Sequence, residues 1–112
     1  MAAPEQFDVR VETTPQGMVV VGVRGELDLA AAEAFEDAIA SVRDASHVVV
    51  DLTDCTFLDS SGVRALSLSA RDITERGARI DVVASNPAVL RVLEITRVDS
   101  LAPVHESRDA IV

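Results

Sequence analysis

The sequence predicts an α/β domain built on a mixed four- or five-stranded sheet. Three features of the pattern carry that reading. Residues 7–12 alternate strictly, with Phe7, Val9 and Val11 on one side and Asp8, Arg10 and Glu12 on the other. Three later segments switch to a helical period. Between them lie short aliphatic runs, the clearest being "HVVVDL" at 47–52. Strands that alternate with helices pair in parallel through right-handed crossovers.

In order along the chain, "FDVRVET" is a half-exposed edge strand. "TPQG" is a tight turn, because Pro15 presets one dihedral and Gly17 accepts positive φ. "MVVVGVRG" is the second strand, so the chain opens with a hairpin. From Leu29 to Arg43, Phe35, Ala38, Ile39 and Val42 fall at i, i+3, i+4 and i+7, which predicts an amphipathic helix with Asp28 as N-cap. The three consecutive valines that follow predict an interior strand. A second helix spans Gly62 to Arg76, with Gly77 as its C′ residue. "RIDVVA" is a strand and "SNPAVLRVLEIT" a third helix, with Asn86 as N-cap and Pro87 at the first helical position. The tail "SLAPVHESRDAIV" predicts a short strand near Val104 and a short closing helix. Phe35, Ile39, Leu66, Ile73 and Leu93 are the expected core.

The chain has 112 residues, the length of a single domain spanning 1–112, and nearly half are apolar. Its net charge is −9, with ten arginines and no lysine. This balance argues against direct nucleic-acid binding and against an anionic membrane, and it suits a basic patch on a protein partner. Acidity that merely keeps the protein soluble is the plainer alternative. Cys55 is the only cysteine, so no intramolecular disulfide is expected, as in a reducing compartment. "MAAPEQF" has neither the basic nor the apolar region of a signal peptide. A soluble, cytoplasmic protein is expected.

In open α/β sheets, sites lie beyond the carboxyl ends of the strands. "GELD" (25–28) and "TFLDSSG" (56–62) leave the second and third strands there and are expected to be neighbours. The chemistry available is limited. A nucleophilic serine needs a base, yet His47 opens the strand whose far end carries Ser60, and nothing aims His105 at it. One cysteine and two distant histidines match no zinc spacing, and EF-hand and phosphate-loop motifs are missing. With three phenylalanines and no tyrosine or tryptophan, no base-stacking platform is expected. No catalytic residue, metal or cofactor is therefore expected. What remains is Ser60 and Ser61 at the mouth of a helix, where unpaired N–H groups favour anions. One serine suffices for a cap; a phosphate on the other would be well held.

"GELD", "VVVDLTDCTFLDSSG" (48–62), "ARDITERGARIDV" (70–82) and "NPAVLRVLEIT" (86–96) together resemble the STAS-domain family, and within it the stand-alone bacterial anti-sigma-factor antagonists. The resemblance covers nearly the whole chain. It implies a STAS-type β-α superhelix with an N-terminal β-hairpin and three to four helices. It also implies partner switching. The unmodified protein binds an anti-sigma factor that is a serine protein kinase of the histidine-kinase-like ATPase superfamily, and thereby frees a sigma factor. The kinase phosphorylates a serine of the antagonist, which releases it, and a phosphatase resets the cycle. The acceptor implied is Ser60, with Glu26, Asp28, Asp59, Ser61 and Gly62 as partner-binding residues. Ser60 is expected to project outward and Ser61 to be engaged locally at the helix start. A STAS ligand-binding or assembly module without sigma-factor control is the alternative. One departure is Arg97, which occupies the glycine place of a Thr-Gly-Leu turn. An arginine does not easily take the left-handed conformation, so a remodelled helix end is expected there.

Overall fold

The computed structural model describes residues 7–111. The N-terminal stretch read above as lacking signal-peptide character lies, up to residue 6, outside the described residues. The elements are β1 (Asp8–Thr13), β2 (Val19–Leu27), α1 (Leu29–Ser41), β3 (His47–Leu58), α2 (Ser60–Glu75), β4 (Arg79–Val83), α3 (Pro87–Ile95) and β5 (Val104–His105). Single 3₁₀ turns at Val98–Ser100 and Arg108–Ala110 complete the chain, so the expected closing helix is only one such turn.

The sheet order is β1-β2-β3-β4-β5, the order of the sequence. β1 pairs antiparallel with β2, and every later pair is parallel. Each crossover thus steps one strand in the same direction. Because such crossovers are right-handed, the helices collect on one face. The main core lies between that face and the helices: Val21, Val23, Val48, Val50, Leu52, Ile80 and Val82 meet Phe35, Ile39, Leu66, Ile73 and Leu93. All five side chains expected in the core are buried. The opposite face carries a smaller cluster of Val20, Val49 and Val83, against which Met18 and Ile111 pack.

The caps follow local chemistry. Asp28 Oδ1 accepts from Ala31 N at 3.1 Å, and Asn86 Oδ1 accepts from Ala88 N at 2.8 Å. Gly77 follows α2 with φ 82°. Arg97 departs from expectation: it adopts the left-handed conformation after all, with φ 64° and ψ 27°. The turn after α3 thus takes a conformation that glycine would favour, and Arg97 places backbone strain there.

β2 and β3 also run further than their apolar patterns suggest. β3 continues to Leu58, through residues expected to be a loop, because the ends of β2 and β3 hold each other. Gly25 pairs with Cys55, Glu26 with Phe57 and Leu27 with Leu58. Two register shifts accommodate the bend, between Gly22 and Arg24 and between Gly25 and Glu26. Gly25 has φ 88°, a conformation that a residue with Cβ rarely adopts.

Candidate functional site

The carboxyl ends of β2 and β3 form one corner of the domain, and α2 starts from it. Asp59 is extended, with φ −97° and ψ −174°, and its Oδ1 accepts from Gly62 N at 2.9 Å. Its backbone N–H donates to Leu27 O at 3.4 Å, tying the second loop to the first. The helix cap is thus Asp59. Neither Ser60 nor Ser61 serves as the cap, and α2 begins at Ser60, two residues before the expected start. A carboxylate at this position satisfies an orphan donor and faces the positive helix end, so it performs the cap function without help from a hydroxyl.

Gly62 explains how α2 comes so close to β2. A Cβ at that position would lie 2.2 Å from Leu27 O and 2.7 Å from Leu58 Cδ1. Gly62 is buried beneath the corner and shapes it through its backbone. The other candidates sit as follows. Ser60 is exposed, Ser61 half-buried, Glu26 exposed, and Asp28 and Asp59 half-buried at their caps. The two loops therefore meet, and they bring Glu26, Asp28, Asp59, Ser60 and Ser61 to one edge of the domain.

Sequence reasoning missed two apolar residues of this edge. Leu29 is 76% exposed and Phe57 48% exposed. Leu29 had a signal, since it falls outside the apolar stripe of α1; Phe57 had none, because its pairing with the exposed Glu26 emerges only from the strand register. The edge thus combines apolar surface with carboxylates, which is the composition of a protein-contact patch more than of a small-molecule pocket. Two cavities of about 390 and 510 Å³, both bordered by Arg108, are lined by other residues, and a smaller one of about 200 Å³ is lined in part by Glu26 and Asp28. Cys55 lies just beneath, buried, with burial pushing its thiol up and so away from reactivity.

Both histidines are committed elsewhere. His47 Nε2 and His105 Nε2 lie 2.7 and 2.8 Å from the two oxygens of Asp81, and Arg79 Nε is 2.9 Å from one of them. Asp81 is fully buried on the helix-free face of the sheet. Burial raises its carboxyl pKa, but the bonds from His105 and His47 and the charge of Arg79 outweigh that and hold it below the usual range. Asp51 has the same balance: burial pushes it up, while Thr53 and Arg108 bring it down overall. Arg108 reaches Asp51 at 2.8 Å and Glu12 at 2.8 Å, fastening the C-terminal segment across the sheet. His47 opens β3 and Ser60 follows its other end, so the two are roughly 35 Å apart along the strand. The corner therefore offers Ser60 as an accessible hydroxyl on a rigid junction, with no imidazole near it.

The description "STAS domain" fits residues 9–111, and the chain belongs to that family. It is 31% identical over 101 residues to the anti-sigma-F factor antagonist RsfB of Mycobacterium tuberculosis, covering 88% of this chain and 81% of that protein. The crystal structure of an anti-sigma factor antagonist from Mycobacterium paratuberculosis superposes with a TM-score of 0.85 at 32% identity, over 97% of this chain and 93% of that one. The Bacillus cell fate determinant SpoIIAA in its phosphorylated form shares the fold, with a TM-score of 0.71 at 20% identity, over 93% of this chain and 96% of that one.

Proposed function

We propose that this chain is an anti-sigma-factor antagonist that works by partner switching. Its unphosphorylated form binds an anti-sigma factor that is also a serine kinase of the histidine-kinase-like ATPase superfamily. Phosphorylation of Ser60 ends that binding, and a phosphatase restores it. The observation that carries this reading is the division of labour at the start of α2. Asp59 takes the cap, which leaves Ser60 exposed and unencumbered at the first helical position. The names of the relatives support it, and SpoIIAA, with the same fold, is known in a phosphorylated form.

In this reading the domain is no enzyme. The kinase brings nucleotide and catalytic groups, and the antagonist presents a hydroxyl at fixed geometry. Glu26, Asp28, Asp59 and Ser61 rim the contact, Leu29 and Phe57 supply apolar area, and Gly62 sets the approach of the helix. A phosphate adds about 1.5 to 2 negative charges near neutral pH. Against an acidic or apolar partner surface, one close like-charge pair costs up to about 4 kcal/mol at an effective dielectric near 20. A cost of roughly 2.8 kcal/mol already weakens binding about a hundredfold. Repulsion at the interface is then enough, and the domain has no need to refold.

Calorimetric titration of the cognate kinase with three variants tests this. Ser60→Ala is expected to bind as tightly as the unmodified protein, Ser60→Asp weakly, and Ser61→Ala normally. Tight binding by Ser60→Asp together with an undiminished complex of the phosphorylated protein would refute it.

A further inference from the structure

Arg64 lies one turn after Ser60 on α2 (Ser60–Glu75), at the i+4 position, and is exposed. Among the described residues no ion pair or hydrogen bond engages its guanidinium. Residues at i and i+4 of a helix are surface neighbours, with Cβ atoms about 5–6 Å apart. In a helix every Cα–Cβ bond tilts toward the N-terminus, so the base of the Arg64 side chain is directed toward the turn that holds Ser60. An acidic group at i with a cation at i+4 is also the favourable order of such a pair. In the unmodified protein Arg64 gains little from its place, since a cation near a helix N-terminus is opposed by the helix dipole.

We propose that Arg64 is the counter-ion of phosphorylated Ser60. The proposal rests on the reading that Ser60 carries the phosphate. The guanidinium presents a planar fork of donors that matches phosphate oxygens two at a time, which an ammonium does not. Phosphorylation then changes the docking edge twice. It adds negative charge beside Asp59, and it withdraws Arg64, which is a free cation in the unmodified protein, into an internal pair. A partner carboxylate that contacts Arg64 in the unmodified complex loses its counter-charge in the same event. Arg64 is thus a positioning residue that holds the phosphate on the exposed side of α2.

The test installs phosphoserine at position 60 during translation, by suppression of an amber codon, so that no kinase is needed. Whether a kinase chooses Ser60 is read separately, and the failure of that reading leaves this measurement intact. The phosphate is titrated by ³¹P NMR in the otherwise unaltered protein and in Arg64→Gln, Arg64→Lys and Arg71→Gln. A guanidinium against the phosphate favours the dianion and lowers its second pKa. The midpoint is expected to rise by about half a pH unit in Arg64→Gln, less in Arg64→Lys, and not at all in Arg71→Gln. The Arg64 Nε–H resonance, and not that of Arg71, is expected to shift when position 60 is phosphorylated. Equal midpoints in the parent and Arg64→Gln, equal rises in Arg64→Gln and Arg71→Gln, or an unmoved Arg64 resonance would overturn the proposal.

Discussion

Gly62 has no side chain, and that vacancy determines how the functional edge is built. Replacing it with alanine drives a methyl into the Leu27 carbonyl, at 2.2 Å before any relaxation. The first obstacle is backbone, not the far end of a flexible side chain. Gly62→Ala is therefore expected to cost about 1–3 kcal/mol, toward the upper end of ordinary overpacking, read as a lower urea midpoint. An unchanged midpoint would mean that α2 is seated more loosely than the structure shows. Arg97 is the converse case, a long side chain in the left-handed region at φ 64°. Strain there is about 1–2 kcal/mol, while glycine loosens the unfolded chain by about 0.4–1 kcal/mol. Arg97→Gly is thus expected to stabilise the protein by up to about 1 kcal/mol, seen as a raised Tm; a fall in Tm would contradict it. Sequence alone identified Arg97 as a departure and led to an expected remodelled helix end, whereas Arg97 itself adopts the left-handed conformation. The conformational preference was known, but the burial of Leu93 and Val98 on either side of the turn was not. At Ser60 and Ser61 the same limit applied. A serine and an aspartate are both good caps, and only the backbone path decided that Asp59 takes the role.

Elements were most legible where their periodicity is strong. α1 and α3, with caps Asp28 and Asn86, appear where the apolar period and cap chemistry place them. The far half of β3 was not legible, because Thr53, Asp54, Thr56 and Phe57 are all exposed and do not alternate in the usual way; Asp54 and Phe57 pair with Arg24 and Glu26, while Thr53 and Thr56 fall at the register shifts. The helix-free face was hidden for another reason. Asp81 stands in the middle of an apolar strand, which signals a buried charge, but His47 and His105 lie 34 and 24 residues away in sequence. Such partners emerge only from the register of β3, β4 and β5. This network makes a pH prediction. Asp81 and Asp51 both titrate below the ordinary carboxylate value of 3.8. Their contribution to stability is complete above about pH 4 and is lost as pH falls through their lower folded values. Asp81→Asn is expected to cost about 1–3 kcal/mol at neutral pH, since it weakens the acceptor that His47, His105 and Arg79 share. It is also expected to flatten the loss of stability below about pH 4. Urea denaturation at neutral and acid pH measures both; equal acid limbs in the two proteins would remove Asp81 as the cause.

At the scale of the molecule, the order β1-β2-β3-β4-β5 separates two tasks. One face buries the helices and the main core, the other is closed by ion pairs and the C-terminal segment, and the carboxyl edge of β2 and β3 is left for contact. A net charge of −9 suits a partner that is basic away from Ser60, whereas the partner surface facing Ser60 itself is acidic or apolar in the proposed switch. Ser60 is the proposed point of control. The most direct measurement incubates the protein with the anti-sigma factor kinase proposed as its partner, magnesium and ATP, then localises phosphate by fragmentation mass spectrometry while gel filtration follows the complex. One phosphate per chain, on Ser60, is expected, with release of the antagonist as that phosphate appears. Phosphate on Ser61, or a Ser60-phosphorylated chain that stays with its kinase, would contradict it.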